Sequence, residues 1–143
     1  PRVLEFNCRF GDPETQVLLP RLDGDLLEAL AAAASGGLRG VELPVSERAA
    51  VTVVLAAPDY PERGDSGTPI AGVDAAEATG ALVFHAGTAL QQGRLVTNGG
   101  RILCVTAVGD SLAEARDGAY AAAVHVDFAG MRYRRDIASF ASA

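Results

Sequence analysis

Apolar and polar positions divide the chain into two patterned stretches separated by a glycine-rich gap. Residues 2–9 alternate. Leu4, Phe6, Cys8 and then Phe10 point to one side of an extended backbone, while Glu5, Asn7 and Arg9 point to the other. This period of two predicts a strand. Gly11 breaks it, and Asp12 followed by Pro13 is a good N-cap with proline at the first helical position, predicting a short helix over 14–19 that ends near Pro20. Leu26, Leu27 and Leu30 predict a helix over 26–34 with one buried face, closed by Gly36 and Gly37.

Residues 35–48, with Gly36, Gly37, Gly40 and Pro44, carry no period and read as a linker between domains 1–36 and 37–143. The β-branched run 49–56 predicts a central strand. Residues 57–69 are rich in Pro, Gly, Asp and Ser and read as a long loop, either solvated or placed at an interdomain cleft. A short helix is expected over 73–79 and strands over 81–86, 94–97 and 101–108. Asn98-Gly99 is the strongest hairpin signal. Residues 81–108 therefore read as an antiparallel meander. Ser111 with Glu114 forms a capping box, and Leu112, Ala115, Ala119, Ala122 and Val126 recur at helical spacing. The fold class is α+β, mainly antiparallel sheet with flanking helices.

Composition narrows the classes. Of 143 residues, 49% are apolar and 21% charged, enough for a core and too few charges for a disordered chain. A net charge of −6 argues against nucleic acid or an anionic membrane as partner. No apolar run reaches the ~20 residues of a membrane span, and no signal-peptide pattern is present. Cys8 and Cys104 lie in apolar strand patterns and read as buried free thiols in a reducing, cytoplasmic setting. His85 and His125 cannot by themselves make a zinc site, and no Walker-type glycine loop occurs.

The candidate chemistry sits at the start. Glu5 and Asn7 share one strand face about 7 Å apart, two residues at roughly 3.3 Å each. A carboxylate and an amide oxygen are hard donors of the kind Mg²⁺ takes. A solvent-facing strand carries such residues for no purpose beyond solvation, so the face alone leaves both readings open. Arg9 and the Asp12 turn either hold a phosphate or serve locally, with Asp12 capping its helix and Arg9 pairing with Glu14. His85 lacks a carboxylate or nucleophile at motif spacing and reads as a structural or cleft-lining histidine rather than a base. Arg132, Arg134 and Arg135 beside Tyr133 and Asp136 form a basic cluster, either salt-bridged on the surface or docked against another domain.

The wording Glu5-Phe6-Asn7-Cys8-Arg9-Phe10-Gly11-Asp12-Pro13-Glu14-Thr15-Gln16 closely resembles the end of the ATP-grasp domain of the phosphoribosylamine–glycine ligase family, the glycinamide ribonucleotide synthetases of purine biosynthesis. Val83-Phe84-His85-Ala86-Gly87-Thr88, Val96-Thr97-Asn98-Gly99-Gly100-Arg101, Val105-Thr106-Ala107-Val108-Gly109 and Tyr133-Arg134-Arg135-Asp136-Ile137 resemble, in order, the signatures of that family's C-terminal domain. The resemblance covers nearly the whole chain and is weakest over 35–46. It implies a C-terminal fragment of an ATP-dependent ligase: a strand–helix remnant of the ATP-grasp domain followed by the C-terminal domain. Glu5 and Asn7 then match the metal ligands (Mg²⁺ or Mn²⁺). Arg9, Gly11 and Asp12 match the substrate side. The substrates are ATP, glycine and phosphoribosylamine, and no catalytic residue is assigned to this chain. The fragment alone is expected to be inactive, with its first strand a sheet edge or partly disordered. A non-catalytic binding module and another ATP-grasp carboxylate–amine ligase are the alternatives.

Overall fold

The computed structural model describes residues 2, 3, 6 and 8–142, the last two by backbone alone. The run of β-branched residues forms β1 (Ala49–Ala56), with the predicted bounds. It pairs antiparallel with β6 (Arg101–Gly109), from Ala49↔Gly109 to Leu55↔Leu103, and a register shift then sets Ala56 opposite Arg101. β3 (Leu82–His85) lies along the other side of β6, with Phe84 opposite Cys104 and His85 opposite Leu103. The central strand is therefore β6, and β1 is an outer one. Burial agrees with this correction. Residues 102–107 are continuously buried, as a strand covered on both faces requires, whereas β1 buries only Val51, Val53 and Leu55 in alternation.

The expected meander is replaced by two sheets. β2 (Asp65–Pro69), β5 (Arg94–Gly99) and β4 (Thr88–Gln91) form a second three-stranded antiparallel sheet in the order β2-β5-β4. Residues 65–69 of the supposed loop 57–69 thus form a strand. The β4–β5 hairpin turns at Gln92 and Gly93, both at positive φ. Asn98-Gly99 makes no hairpin. β5 and β6 belong to different sheets, and neither Asn98 nor Gly99 has positive φ. The glycine at 99 serves a close backbone approach instead, since a Cβ there would lie 2.9 Å from the Gly87 Cα.

α4 (Leu112–Ala123) starts at the expected Ser111 cap, with the return bond of the capping box shifted by one residue to Asp110. Ser111 Oγ accepts from the Glu114 amide at 3.1 Å, and Glu114 Oε2 accepts from the Asp110 amide at 3.0 Å. Its alanines 115, 119 and 122 are fully buried against Val51, Val53, Leu55, Leu103 and Val105. These small side chains let the helix approach the sheet closely. The opposite face of that sheet carries Cys104 and the pair formed by half-buried Thr52 and buried Thr106, whose hydroxyls are 2.7 Å apart. α3 (Val73–Glu77) is shorter than expected. The architecture is α+β with antiparallel pairing in both sheets, as the pattern implied.

The N-terminal stretch departs more. Arg2, Val3, Phe6, Cys8 and Arg9 lie in no strand. Cys8 is exposed, not buried, while Cys104 is buried as expected. α1 (Thr15–Leu18) is followed by a 3-10 turn, Leu19–Arg21, that accommodates Pro20. α2 (Leu26–Ala34) has the predicted bounds and is capped by Asp25, whose carboxylate accepts from the Glu28 amide. Its apolar face is not buried. Leu27 is 76% and Leu30 45% exposed, because nothing among the described residues packs over them.

Candidate functional site

The face of the first sheet that bears Cys104 receives the N-terminal segment. α1 lies across it, and Gln16 Nε2 approaches Cys104 Sγ at 3.8 Å. The Gly11-Asp12-Pro13 turn before α1 is tied to the sheet from a distance in sequence. Arg101, the first residue of β6, forms an ion pair with Asp12 at 3.0 Å and also donates to the Asp12 carbonyl at 3.4 Å. The other carboxylate oxygen accepts from Gln16 Nε2 at 2.9 Å.

Asp12 is consequently no N-cap. Residue 14 occupies that position without a side-chain cap, and α1 spans only four residues. The carboxylate is taken by Arg101 and Gln16, so the donors it was expected to satisfy go elsewhere. The Thr15 hydroxyl and amide both donate to the Gly11 carbonyl. Gly11 has no positive φ, and a Cβ there would meet the carboxyl end of Glu14 at 2.5 Å.

These residues line a cavity of about 310 Å³ between α1 and the end of β3. Phe10, Gly11, Asp12, Thr15 and Gln16 form one wall, and Phe84 and His85 form the other. Pairing explains Phe84 in the second wall, since residues opposite each other across a ladder share a face and Phe84 is opposite Cys104; His85 reaches the cavity from the end of the strand. His85 Nδ1 and the Thr88 hydroxyl are hydrogen bonded at 3.0 Å. The histidine is exposed and lines the cavity, in keeping with the cleft-lining reading.

Among the expected site residues, the structure brings Gly11 and Asp12 together at this cavity. Arg9 stays apart from it: its guanidinium is exposed and donates to the Phe10 carbonyl at 3.1 Å, not to Glu14. Glu5 and Asn7 lie outside the described residues. Among the described residues, no group of three or more His, Cys, Asp or Glu side chains is placed to hold a metal. Cys104 is no nucleophile here. Burial above all, then the Asp12 charge, pushes its thiol up to about 11, with Arg101 opposing, so the thiolate is scarce at neutral pH. Sequence reasoning missed Gln16 and the Arg101 anchor. A contact spanning 89 positions has no local signal.

The basic cluster is largely spent within the chain. Arg134 grips Asp136 through two hydrogen bonds of 2.9 and 2.6 Å, and that contact lowers the Asp136 pKa. Arg135 lies 5.7 Å over the Tyr133 ring. Tyr120 donates to the Arg134 carbonyl and accepts from the Ile137 amide, pinning the tail to α4. Arg132, with Tyr60 and Tyr133, borders a second, mostly apolar cavity of about 360 Å³ beside β1.

Comparison with known proteins gives the site its context. The family model described as "Phosphoribosylglycinamide synthetase, C domain" matches residues 50–140. The chain belongs to this phosphoribosylglycinamide synthetase family. Two relatives, each named phosphoribosylamine–glycine ligase, come from Neisseria meningitidis serogroup A and Vibrio cholerae. The first is 51% identical over 139 residues, covering 96% of this chain and 33% of that protein. The second is 49% identical over 137 residues, covering 96% and 32%. The crystal structure of phosphoribosylamine–glycine ligase from Thermotoga maritima superposes with a TM-score of 0.76 at 40% identity, over 96% of this chain and 33% of that one. This synthetase-family chain thus spans about a third of the length of the relatives it matches. No helix among its described residues is long and apolar enough to cross a membrane.

Proposed function

We propose that this chain is the C-terminal part of an ATP-dependent ligase. The enzyme joins 5-phosphoribosylamine and glycine to give glycinamide ribonucleotide, ADP and phosphate, in the cytoplasm. The observation that carries the proposal is the 51% identity to a phosphoribosylamine–glycine ligase across 96% of the chain. Residues 1–36 are read as the end of an ATP-grasp domain and 37–143 as the domain that follows it.

In this reading ATP phosphorylates the glycine carboxylate, and the amine then displaces phosphate from carbon. The chemistry asks for positioning and charge neutralisation more than for an acid or base. Glu5 and Asn7 supply two hard oxygen donors for Mg²⁺ or Mn²⁺. Two donors do not complete a shell, so phosphate oxygens and waters would complete it. A bound metal ion would neutralise charge on the transferring phosphates. Arg9, Gly11 and Asp12 stand on the substrate side. The support for Gly11 and Asp12 is that Arg101 and Gln16 tie the Asp12 side chain at the wall of a cavity.

The test compares two proteins. The chain alone is expected to release no phosphate from ATP when glycine and phosphoribosylamine are added. A protein of the relatives' full length that ends in this chain is expected to form ADP only when both are present. ADP formation by the long protein that ignores either substrate would defeat the proposal.

A further inference from the structure

The cavity between α1 and β3 is not built for an anion. Asp12 contributes a negative charge that Arg101 balances at 3.0 Å, so the pair presents little net charge. The other nearby cation, Arg9, is turned to the Phe10 carbonyl and does not line the cavity. What the cavity does present is hydrogen-bonding capacity without charge. Gln16 donates its amide N–H₂ to Asp12, which fixes the orientation of the amide. Its carbonyl oxygen is buried, without a partner among the described residues, and is turned into the protein rather than toward the cavity. His85 uses Nδ1 for the Thr88 hydroxyl, which leaves Nε2 without a partner among the described residues. Phe10 and Phe84 add apolar walls.

A dianionic phosphate placed there would face the Asp12 carboxylate at short range. A neutral ring carrying hydroxyl groups would instead find the Asp12 carboxylate as an acceptor, an imidazole nitrogen and apolar walls for its C–H faces. About 310 Å³ is ample for a pentose ring.

We propose that this cavity binds the pentose ring of the phosphorylated ribosylamine, with His85 as a binding residue for its hydroxyl groups and the phosphate held outside. Thr88 sets the orientation of the imidazole. This inference rests on the reading given under Proposed function.

The test uses a ligase of the relatives' full length that ends in this chain. Calorimetric titrations with D-ribose 5-phosphate, 2-deoxy-D-ribose 5-phosphate and inorganic phosphate are compared for wild type, His85→Ala, His85→Gln and Thr88→Val. His85→Ala is expected to weaken ribose 5-phosphate about tenfold, roughly the worth of one hydrogen bond to a ligand. Inorganic phosphate binding stays unchanged in that variant, and His85→Gln recovers part of the loss because it keeps a donor. The deoxy sugar is less sensitive to the substitution. Should His85→Ala fail to fold, Thr88→Val, which only frees the ring, carries the same expectation at smaller amplitude.

Equal weakening of inorganic phosphate, no weakening at all, or wild type binding ribose 5-phosphate no tighter than phosphate would each overturn the inference. The underlying reading is judged separately. A protein that ligates glycine but shows no His85 effect on the sugar sinks only this inference. One with the His85 effect but no ADP formation sinks the ligase reading.

Discussion

Replacing Gly72 with alanine is expected to destabilise the chain by about 3 kcal/mol or more, one of the largest single-residue effects available to it. Two causes add. Gly72 has φ +81°, a left-handed conformation that costs an alanine roughly 1 kcal/mol. A Cβ at 72 would also overlap the His125 carbonyl oxygen. Relieving that overlap would require the backbone around Gly72 and His125 to move apart. That backbone is held by a reciprocal pair of hydrogen bonds, Ala71 amide to Asp127 carbonyl at 2.9 Å and Asp127 amide to Ala71 carbonyl at 3.0 Å. Next to it, Val126 and Phe128 are buried in the core. Relief of the clash therefore disturbs both the bridge and the core. Gly80→Ala is the control, because Gly80 has φ +90° and a Cβ there would meet nothing within 4 Å, so it shows the conformational cost alone. Urea unfolding of both variants separates the two contributions. A Gly72→Ala midpoint equal to that of Gly80→Ala would mean that the Ala71–Asp127 bridge is not rigid.

In a ligase of full length ending in this chain, Glu5→Ala is expected to lower ADP formation at least about a hundredfold with folding intact. The substitution removes one of two proposed hard oxygen donors, and with it most of the charge that holds a divalent cation against the transferring phosphates. The apparent Mg²⁺ requirement should rise in parallel, and Glu5→Asp should retain more activity than the alanine variant. Initial rates of ADP formation at several Mg²⁺ concentrations, with circular dichroism as a folding control, check both points. Unchanged turnover would remove the metal role from this stretch.

Elements whose folding is local are legible from pattern. Residues 49–56 form a strand and 26–34 a helix with the expected bounds, and Ser111 caps α4 through Glu114. In each case the β-branched run, the leucine spacing or the capping pair acts within one element. Signals that need a partner fail. Asn98-Gly99 has the composition of a tight turn, yet the glycine is required by backbone contact with Gly87, and the chain crosses between sheets there. β4 is hidden because Thr88–Gln91 has little alternation, and its Leu90 is 76% exposed. The face of α2 is legible as apolar, but apolarity does not say what covers it.

The site divides the same way. Gly11 and Asp12 are reached through a family resemblance, while the structure supplies their context: a guanidinium from the start of β6 and a histidine from the end of β3. Asp-Pro before a helix favours a cap locally, which is why the sequence points to Asp12 as one. A charged partner 89 positions away outcompetes weak backbone donors for the same oxygens, and no sequence window contains both.

The central claim, that the protein carrying this chain activates a carboxylate with ATP for attack by an amine, is tested most directly by following oxygen. Glycine labelled with oxygen-18 in its carboxylate is supplied with ATP and phosphoribosylamine to the full-length ligase. Phosphorylation of the carboxylate followed by displacement at carbon carries one labelled oxygen into each inorganic phosphate released, read by mass spectrometry. Labelled phosphate in step with ADP is the predicted result. ADP formed with unlabelled phosphate would contradict the account.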